Sequence, residues 1–155
     1  MCGIVGVASE GQVTEKLING LLRQEYRGYD SSGLAVFGKD SNQVQVIKRP
    51  GKVAELQNAI EETPMIGNTG IAHTRWATHG EPNTMNAHPH MDNAKQFSLI
   101  HNGIIENHYS IKEYLVGKGV TFTSDTDTEV LVQFIGYLYS TENMSFFDTV
   151  RAALK

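Results

Sequence analysis

Short apolar runs alternate with amphipathic segments of helical period along the chain, and this alternation restricts the fold more than any other feature of the sequence. Runs such as 2–8 and 70–76 have the length and apolar content of buried strands. Segments such as 13–25 and 128–139 repeat apolar residues every three or four positions, which is typical of helices that pack on one face. The alternation therefore predicts a globular domain that contains both helices and sheet.

The same patterns predict the bounds of each element. Strands are expected at 2–8, 34–37, 44–47, 70–76 and 97–105, with 34–37 and 44–47 forming a hairpin. Helices are expected at 13–25, 53–61, 108–116, 128–139 and 145–154, the last with Phe146, Phe147, Val150 and Leu154 facing a core. The polar segment before 97–105 is rich in histidine, proline and asparagine, and so long a loop in a compact domain is usually functional.

Length and charge exclude several classes of protein. The 155 residues suffice for one domain with a real core, and the net charge is −4. Lysine and arginine form no cluster, so nucleic acid is not an expected partner. No apolar stretch reaches the length of a membrane span or of a signal-peptide core. We therefore expect no membrane association and a cytoplasmic location.

The only cysteine is residue 2, followed at once by Gly3 and an apolar run. Cys2 is either a small buried residue of the first strand, or the terminal residue once Met1 is removed. In the second case its α-amino group can accept the proton of its own thiol, so that one residue supplies both nucleophile and base. A lone cysteine excludes an internal disulfide, but does not decide between these two interpretations.

Four polar segments interrupt the apolar runs at expected strand ends or helix starts, where binding groups gather on a rigid scaffold. At Asn102 and Gly103, a side-chain amide N–H and a backbone N–H can point at one developing oxyanion, although Asn-Gly is also a common turn. The segments are YRGYDSSG (26–33), HTRWATHG (73–80), HNGIIEN (101–107) and SDTDTEV (124–130).

Two of these segments carry opposite charges suited to an amino-acid ligand. The guanidinium of Arg75 matches a carboxylate with two parallel hydrogen bonds. Asp127 could accept an ammonium group, or could simply cap a helix. Arg75 and Asp127 together would hold the zwitterionic end of an amino acid.

The histidines suggest a different class, a His-rich metal-binding protein. Its ligands would be His73, His79, His88 and His90. Zinc sites usually show tighter paired spacings or a helical pair four residues apart, and these positions match neither pattern. This alternative is therefore disfavoured.

Six motifs, in the same order, resemble the glutaminase domain of the class II glutamine amidotransferases, which are N-terminal-nucleophile hydrolases. They are MCGIVG, EYRGYDSSG, HTRWATHGEP, NAHPH, HNGIIEN and TDTEV. RGYDS and HTRWATHG favour the branch that uses fructose 6-phosphate as the ammonia acceptor, although Ser32 stands where that family usually has alanine. The resemblance implies an α+β fold, a four-layer αββα sandwich. Residues 1–155 would form the N-terminal portion of one glutaminase domain that continues further in the family, without the sugar-isomerising domains.

The resemblance also implies roles for the residues singled out above. Cys2 would attack the side-chain amide of L-glutamine, releasing ammonia and then glutamate. Asn102 and Gly103 would form the oxyanion hole, and Arg27 would support the nucleophile. Arg75, with Thr78 and His79, would bind the α-carboxylate of glutamine, and Asp127 would bind its α-amino group. Residues 75–83, which include Trp76, would form a loop that closes over the site.

The resemblance implies no metal and no organic cofactor. In full-length members a sugar-isomerase domain receives the ammonia and fructose 6-phosphate is the acceptor. Assembly of the chain into homo-oligomers is left open. The alternative function is that of an inactive or regulatory glutamine-binding fragment.

Overall fold

The computed structural model describes residues 2–38, 43–76 and 83–155, which form two compact units. The first unit runs to Pro89, and the second comprises His90–Lys155. Within the described residues, the first unit holds a four-stranded sheet and the second a two-stranded sheet. Among these residues no helix is both long and apolar enough to cross a membrane.

The sheet of the first unit consists of β1 (Gly3–Ala8), β2 (Ser31–Phe37), β3 (Gln45–Pro50) and β4 (Thr69–Arg75). It is antiparallel, with strand order β1-β4-β2-β3. In this register Gly3 pairs with Thr74 and Ser31 pairs with Arg75. The starts of β1 and β2 therefore lie beside the end of β4, at one end of the sheet.

The core of the first unit lies between this sheet and the helices α1 (Thr14–Leu22) and α2 (Val53–Glu62). Alternate residues of β2 point into it, so that Leu34 and Val36 are fully buried. Truncating such a leucine to alanine typically costs about 2–5 kcal/mol. The buried members of the core are Val13, Leu17, Ile18, Leu21, Leu34, Val36, Val53, Leu56, Met65 and Ala72.

The segment that precedes Pro89 passes directly over β2. A Cβ atom on Gly33 would overlap the backbone carbonyl oxygen of His88, so only glycine allows this approach. The ring of His88 stacks on the ring of His73 of β4, with centroids 4.6 Å apart. Part of the long polar segment thus packs on the sheet instead of standing free in solvent.

The second unit is built around one long helix. Its elements are β5 (His90–Met91), β6 (Ser98–Leu99), α3 (His108–Gly117), α4 (Asp127–Thr141) and α5 (Phe146–Ala153). Helix α4 packs against both other helices of the unit and against the small sheet. Val130, Val132 and Ile135 of α4 are buried, together with Leu115 of α3.

The strand predicted over 97–105 is wrong beyond Leu99, because only Ser98–Leu99 pairs with another strand. Gly103 has φ +152°, and the backbone N–H of Ile105 donates to the carboxylate of Asp127 instead of to a strand. The prediction of a strand is confirmed only at Ser98–Leu99. At Ile105 the acceptor of the backbone N–H is a side-chain carboxylate and not a neighbouring strand.

The prediction for the last helix is also partly wrong. The helix forms over Phe146–Ala153, but its apolar face does not lie in a core. Phe146, Phe147 and Leu154 are 53%, 70% and 67% exposed. An amphipathic period shows which face is apolar, but not what covers it.

Candidate functional site

The thiol of Cys2 lies at the end of the sheet where β1, β2 and β4 meet. The backbone N–H of Trp76 donates to Cys2 Sγ at 3.3 Å, and Sγ is 3.7 Å from the carbonyl oxygen of Trp76. Cys2 is only partly buried, so the sulfur stays accessible. The sulfur of the only cysteine in the chain therefore lies within hydrogen-bond reach of the backbone that follows β4.

The residues that follow Cys2 are tied to the end of β4. The backbone N–H of Gly3 donates to Thr74 Oγ1 at 3.2 Å, in addition to the pairing of β1 with β4. Gln24 Nε2 donates to the carbonyl oxygen of Ile4 at 3.1 Å. A Cβ on Gly3 would lie 2.6 Å from Gln24 Oε1 and 2.8 Å from Thr74 Oγ1, so this position has no room for a side chain. These contacts determine where Cys2 emerges from the strand.

Trp76 is seated against the backbone of Gly28. Gly28 has φ +138°, and a Cβ there would lie 2.5 Å from Trp76 Cε3. The indole is nonetheless 53% exposed. The glycine of the YRGYDSSG segment therefore supports the residue whose backbone contacts the cysteine.

Arg75 is the last residue of β4 and is 7% exposed. Its carbonyl oxygen accepts a hydrogen bond from the backbone N–H of Asp30 at 2.9 Å. Arg75 therefore sits next to Trp76 on a backbone held by β2. A buried guanidinium at a strand end is a rigid place from which to bind a carboxylate.

Arg27 lies on a single helical turn, Glu25–Arg27, next to Gly28. It is exposed, and its Nε donates to Tyr26 Oη at 3.2 Å. Support of Cys2 by Arg27 stays a prediction. Thr78 and His79, and most of the predicted closing loop, lie outside the described residues.

In the second unit, Asp127 joins two of the polar segments recognised in the sequence. Its Oδ2 accepts a hydrogen bond from the backbone N–H of Ile105 at 2.8 Å. The HNGIIEN segment and the start of α4 are therefore neighbours. Asn102 and Gly103 are exposed, and Asp127 is half-buried. Asp127 does not cap the helix, since Thr126 is the N-cap residue and accepts from the N–H of Glu129.

Two residues after Asp127, Glu129 is a buried carboxylate that the sequence patterns did not single out. Glu129 is 2% exposed and accepts hydrogen bonds from Thr123 and Ser124. The hydroxyl of Thr126 is 2.9 Å from Ser124 Oγ and 3.0 Å from His90 Nε2. In the sequence, Glu129 belongs to the pattern T-x-x-E at 126–129. This pattern is typical of helix capping and therefore indicates local structure instead of a functional site.

Three of the four histidines of the metal hypothesis lie among the described residues. His73 stacks on His88, and His90 contacts the hydroxyl of Thr126. Within the described ranges no group of three or more histidine, cysteine, aspartate or glutamate side chains is arranged to hold a metal ion. His79 lies outside those ranges.

The sequence of the chain matches the family model described as "Glutamine amidotransferase domain" over residues 56–142. A glutamine–fructose-6-phosphate aminotransferase (isomerizing) of Haemophilus influenzae is 52% identical over the whole chain, which covers 25% of that relative. The corresponding protein of Bacteroides thetaiotaomicron is 51% identical over 99% of the chain, again 25% of the relative. The chain thus spans about a quarter of the length of these curated relatives.

Two solved structures share the fold. One is a glutamine phosphoribosylpyrophosphate amidotransferase from B. subtilis complexed with ADP and GMP, with a TM-score of 0.80 and 24% identity. The other is described as the allosteric regulatory enzyme of purine biosynthesis, with a TM-score of 0.82 and 24% identity. Each match covers 99% of this chain and 32% of the other.

Proposed function

The chain belongs to the glutamine amidotransferase family, and from that premise we propose that it hydrolyses the side-chain amide of glutamine with Cys2 as the nucleophile. The observation that carries the proposal is the placement of the only cysteine. Its sulfur lies 3.3 Å from the N–H of Trp76, at a sheet end that also holds the buried Arg75. A small residue buried in a strand would need neither the accessible sulfur nor the donor aimed at it.

The reaction needs a base close to the thiol, and we propose that this base is the α-amino group of Cys2 itself. Met1 must be removed for that amine to be free. The amine takes the thiol proton, and the thiolate attacks the amide carbon of glutamine to give a tetrahedral oxyanion. We propose that the amide of Asn102 and the backbone N–H of Gly103 stabilise this oxyanion.

Collapse of the tetrahedral intermediate breaks the carbon–nitrogen bond. The protonated α-amine returns its proton to the leaving nitrogen, so that ammonia departs and a thioester to Cys2 remains. Water, deprotonated by the same amine, then attacks the thioester. Glutamate leaves and the thiol is restored.

The amino-acid end of glutamine would be held by two charged residues. We propose that Arg75 binds the α-carboxylate, helped by Thr78 and His79, and that Asp127 binds the α-ammonium. Both charges are carried on regular structure, Arg75 at the end of β4 and Asp127 in the first turn of α4. Residues fixed in this way hold a ligand more accurately than residues on a free loop.

The ammonia acceptor is inferred from the relatives. They are named for fructose 6-phosphate and cover about four times the length of this chain. We propose that the ammonia formed at Cys2 serves fructose 6-phosphate amination by a sugar-isomerase domain. Homo-oligomer formation stays a prediction.

Mass spectrometry with a glutamine-like diazo-ketone tests the nucleophile. Protein lacking Met1 should gain one adduct on Cys2, and L-glutamate should slow its formation. Cys2→Ala should gain none, and protein that retains Met1 should label far more slowly. Equal labelling with Met1 retained would contradict the amine as base. Adduct formation that glutamate does not slow would contradict the glutamine site.

Ammonia release distinguishes the enzyme from a glutamine-binding fragment without turnover. We expect the processed protein to release ammonia from L-glutamine, and Cys2→Ala to release none while still binding glutamine. Binding without release in the processed wild-type protein would favour the regulatory alternative.

A further inference from the structure

Glu129 is a buried carboxylate whose two oxygens are both saturated with donors. Oε1 accepts from the backbone N–H and the hydroxyl of Thr123, at 2.9 Å each. Oε2 accepts from the backbone N–H of Ser124 at 2.6 Å and from its hydroxyl at 2.7 Å. The side chain is thus bound at both ends of its carboxylate to two consecutive residues. Such pairing is needed to offset the cost of burying a charge.

This arrangement exceeds what helix capping requires. In an ordinary capping box the glutamate reaches back to the backbone N–H of the N-cap residue. Here the N–H of Thr126, the N-cap residue, donates to Ser124 Oγ instead, at 3.3 Å. Glu129 reaches further upstream, to residues that precede the helix. Its hydrogen bonds therefore fix the whole approach to α4 and not only its first turn.

Asp127 is the residue that this approach presents. It lies between the N-cap residue Thr126 and the buried Thr128 in the first turn of α4. Its Oδ2 is occupied by the N–H of Ile105, and its Oδ1 is 3.5 Å from the hydroxyl of Thr128. A shift of the 123–126 segment would move the carboxylate of Asp127 directly.

We propose that Glu129 is a positioning residue for glutamine: by holding Thr123 and Ser124 it fixes the carboxylate of Asp127 that receives the α-ammonium group. This inference rests on the proposed function, because it deepens the role given there to Asp127. Glu129 does not touch substrate. It acts on binding through the backbone that carries Asp127.

The chemistry requires a carboxylate at this position. All four partners can donate, and two of them are backbone N–H groups that can do nothing else. Glutamine has the same shape but replaces one oxygen with a donating NH₂ group. In either orientation of the amide, this NH₂ would face the N–H of Thr123 or of Ser124. Glu129→Gln should therefore disrupt the hydrogen bonds to one of the two carboxylate oxygens, with almost no change in side-chain volume.

The test compares two substrates, L-glutamine and its analogue without the α-amino group, 5-amino-5-oxopentanoate. For Glu129→Gln we expect the KM for glutamine to rise about tenfold with kcat within about twofold, because an interaction common to ground and transition states is weakened. With the analogue, variant and wild type should have the same kcat/KM. Glu113→Gln, an exposed glutamate of α3, is the matched control and should change neither substrate.

A double-mutant cycle with Asp127→Asn gives the second readout. If Glu129 acts through Asp127, adding Glu129→Gln to Asp127→Asn should raise the KM no further. Thr123→Val removes the hydroxyl that donates to Oε1 but keeps the backbone N–H donor, and it should raise the glutamine KM about threefold. This milder variant decides the question if Glu129→Gln does not fold.

The outcomes separate the two proposals. Equal losses with both substrates, a fall in kcat at unchanged KM, or additive effects with Asp127→Asn would overturn the positioning role of Glu129. Wild-type protein that neither hydrolyses nor binds glutamine would overturn the proposed function, and with it the role of Glu129.

Discussion

The carboxylate of Asp127 accepts a hydrogen bond from the backbone N–H of Ile105 at 2.8 Å. This single contact links the first turn of α4 to the segment that contains Asn102 and Gly103. Asp127 therefore has two separable properties: the negative charge that we propose binds the α-ammonium group, and an oxygen that accepts from the neighbouring backbone.

Asparagine and alanine at position 127 should separate these properties. Asp127→Asn keeps an acceptor for Ile105 and loses the charge, so glutamine binding should weaken by about 1.5–3 kcal/mol with kcat little changed. Asp127→Ala also removes the tether, and kcat should fall as well. Steady-state kinetics and calorimetry provide both values. Unchanged glutamine affinity in Asp127→Asn would place the α-amino group elsewhere.

Arg75→Lys tests the opposite end of the amino acid. Lysine keeps the charge but cannot make two parallel hydrogen bonds to a carboxylate, so glutamine affinity should fall by about 1.5–3 kcal/mol. Arg49→Lys is the matched control, because Arg49 is exposed on β3 and its guanidinium contacts the carbonyl oxygen of Lys48 at 2.8 Å. Equal affinity in the Arg75 and Arg49 variants, measured by calorimetry, would contradict the assignment.

The sequence predicted the part of the site that depends on strand periodicity. Placing 2–8 and 70–76 as strands leaves Cys2 and Arg75 at strand ends, and antiparallel pairing then brings those ends together. The mixture of helices and antiparallel sheet is confirmed, and the amidotransferase from B. subtilis shares the fold with a TM-score of 0.80 over 99% of the chain. Local pattern and motif order sufficed for both.

The remaining features depend on contacts between residues far apart in the chain. Within the strand predicted over 97–105, Asp127, 22 residues after Ile105, accepts from the backbone N–H of Ile105 in place of a neighbouring strand. Glu129 looks like part of a capping pattern in the sequence, and its burial and its hydrogen bonds to Thr123 and Ser124 distinguish it. The periodicity of apolar residues in the sequence shows neither which group accepts a given backbone N–H nor whether a charged side chain is buried.

Gly28→Ala should disturb the nucleophile without touching it. The positive φ of Gly28 and the 2.5 Å approach of a Cβ to Trp76 Cε3 leave alanine no room, so the indole must move. The N–H of Trp76 that faces Cys2 Sγ should move with it. We expect slower diazo-ketone labelling of Cys2 and a lower melting temperature.

The control for Gly28→Ala is Gly11→Ala. Gly11 is exposed, and a Cβ there meets no atom within 4 Å. This variant should label Cys2 at the wild-type rate. Wild-type labelling in Gly28→Ala as well would show that the seat of Trp76 does not control the thiol.

Ser31 and Ser32 form a matched pair for stability, because both are buried at the start of β2 but face opposite sides of the sheet. Ser31 Oγ donates to Asp30 Oδ1 at 2.9 Å, whereas Ser32 Oγ has no hydrogen-bond partner among the described residues. Ser31→Ala should therefore lower the free energy of unfolding by about 1 kcal/mol, and Ser32→Ala should raise it by about 1 kcal/mol, since a buried hydroxyl without a partner is destabilising. Urea denaturation with equal m-values measures both changes. A loss of stability in Ser32→Ala would show that its hydroxyl does make a hydrogen bond in the folded protein.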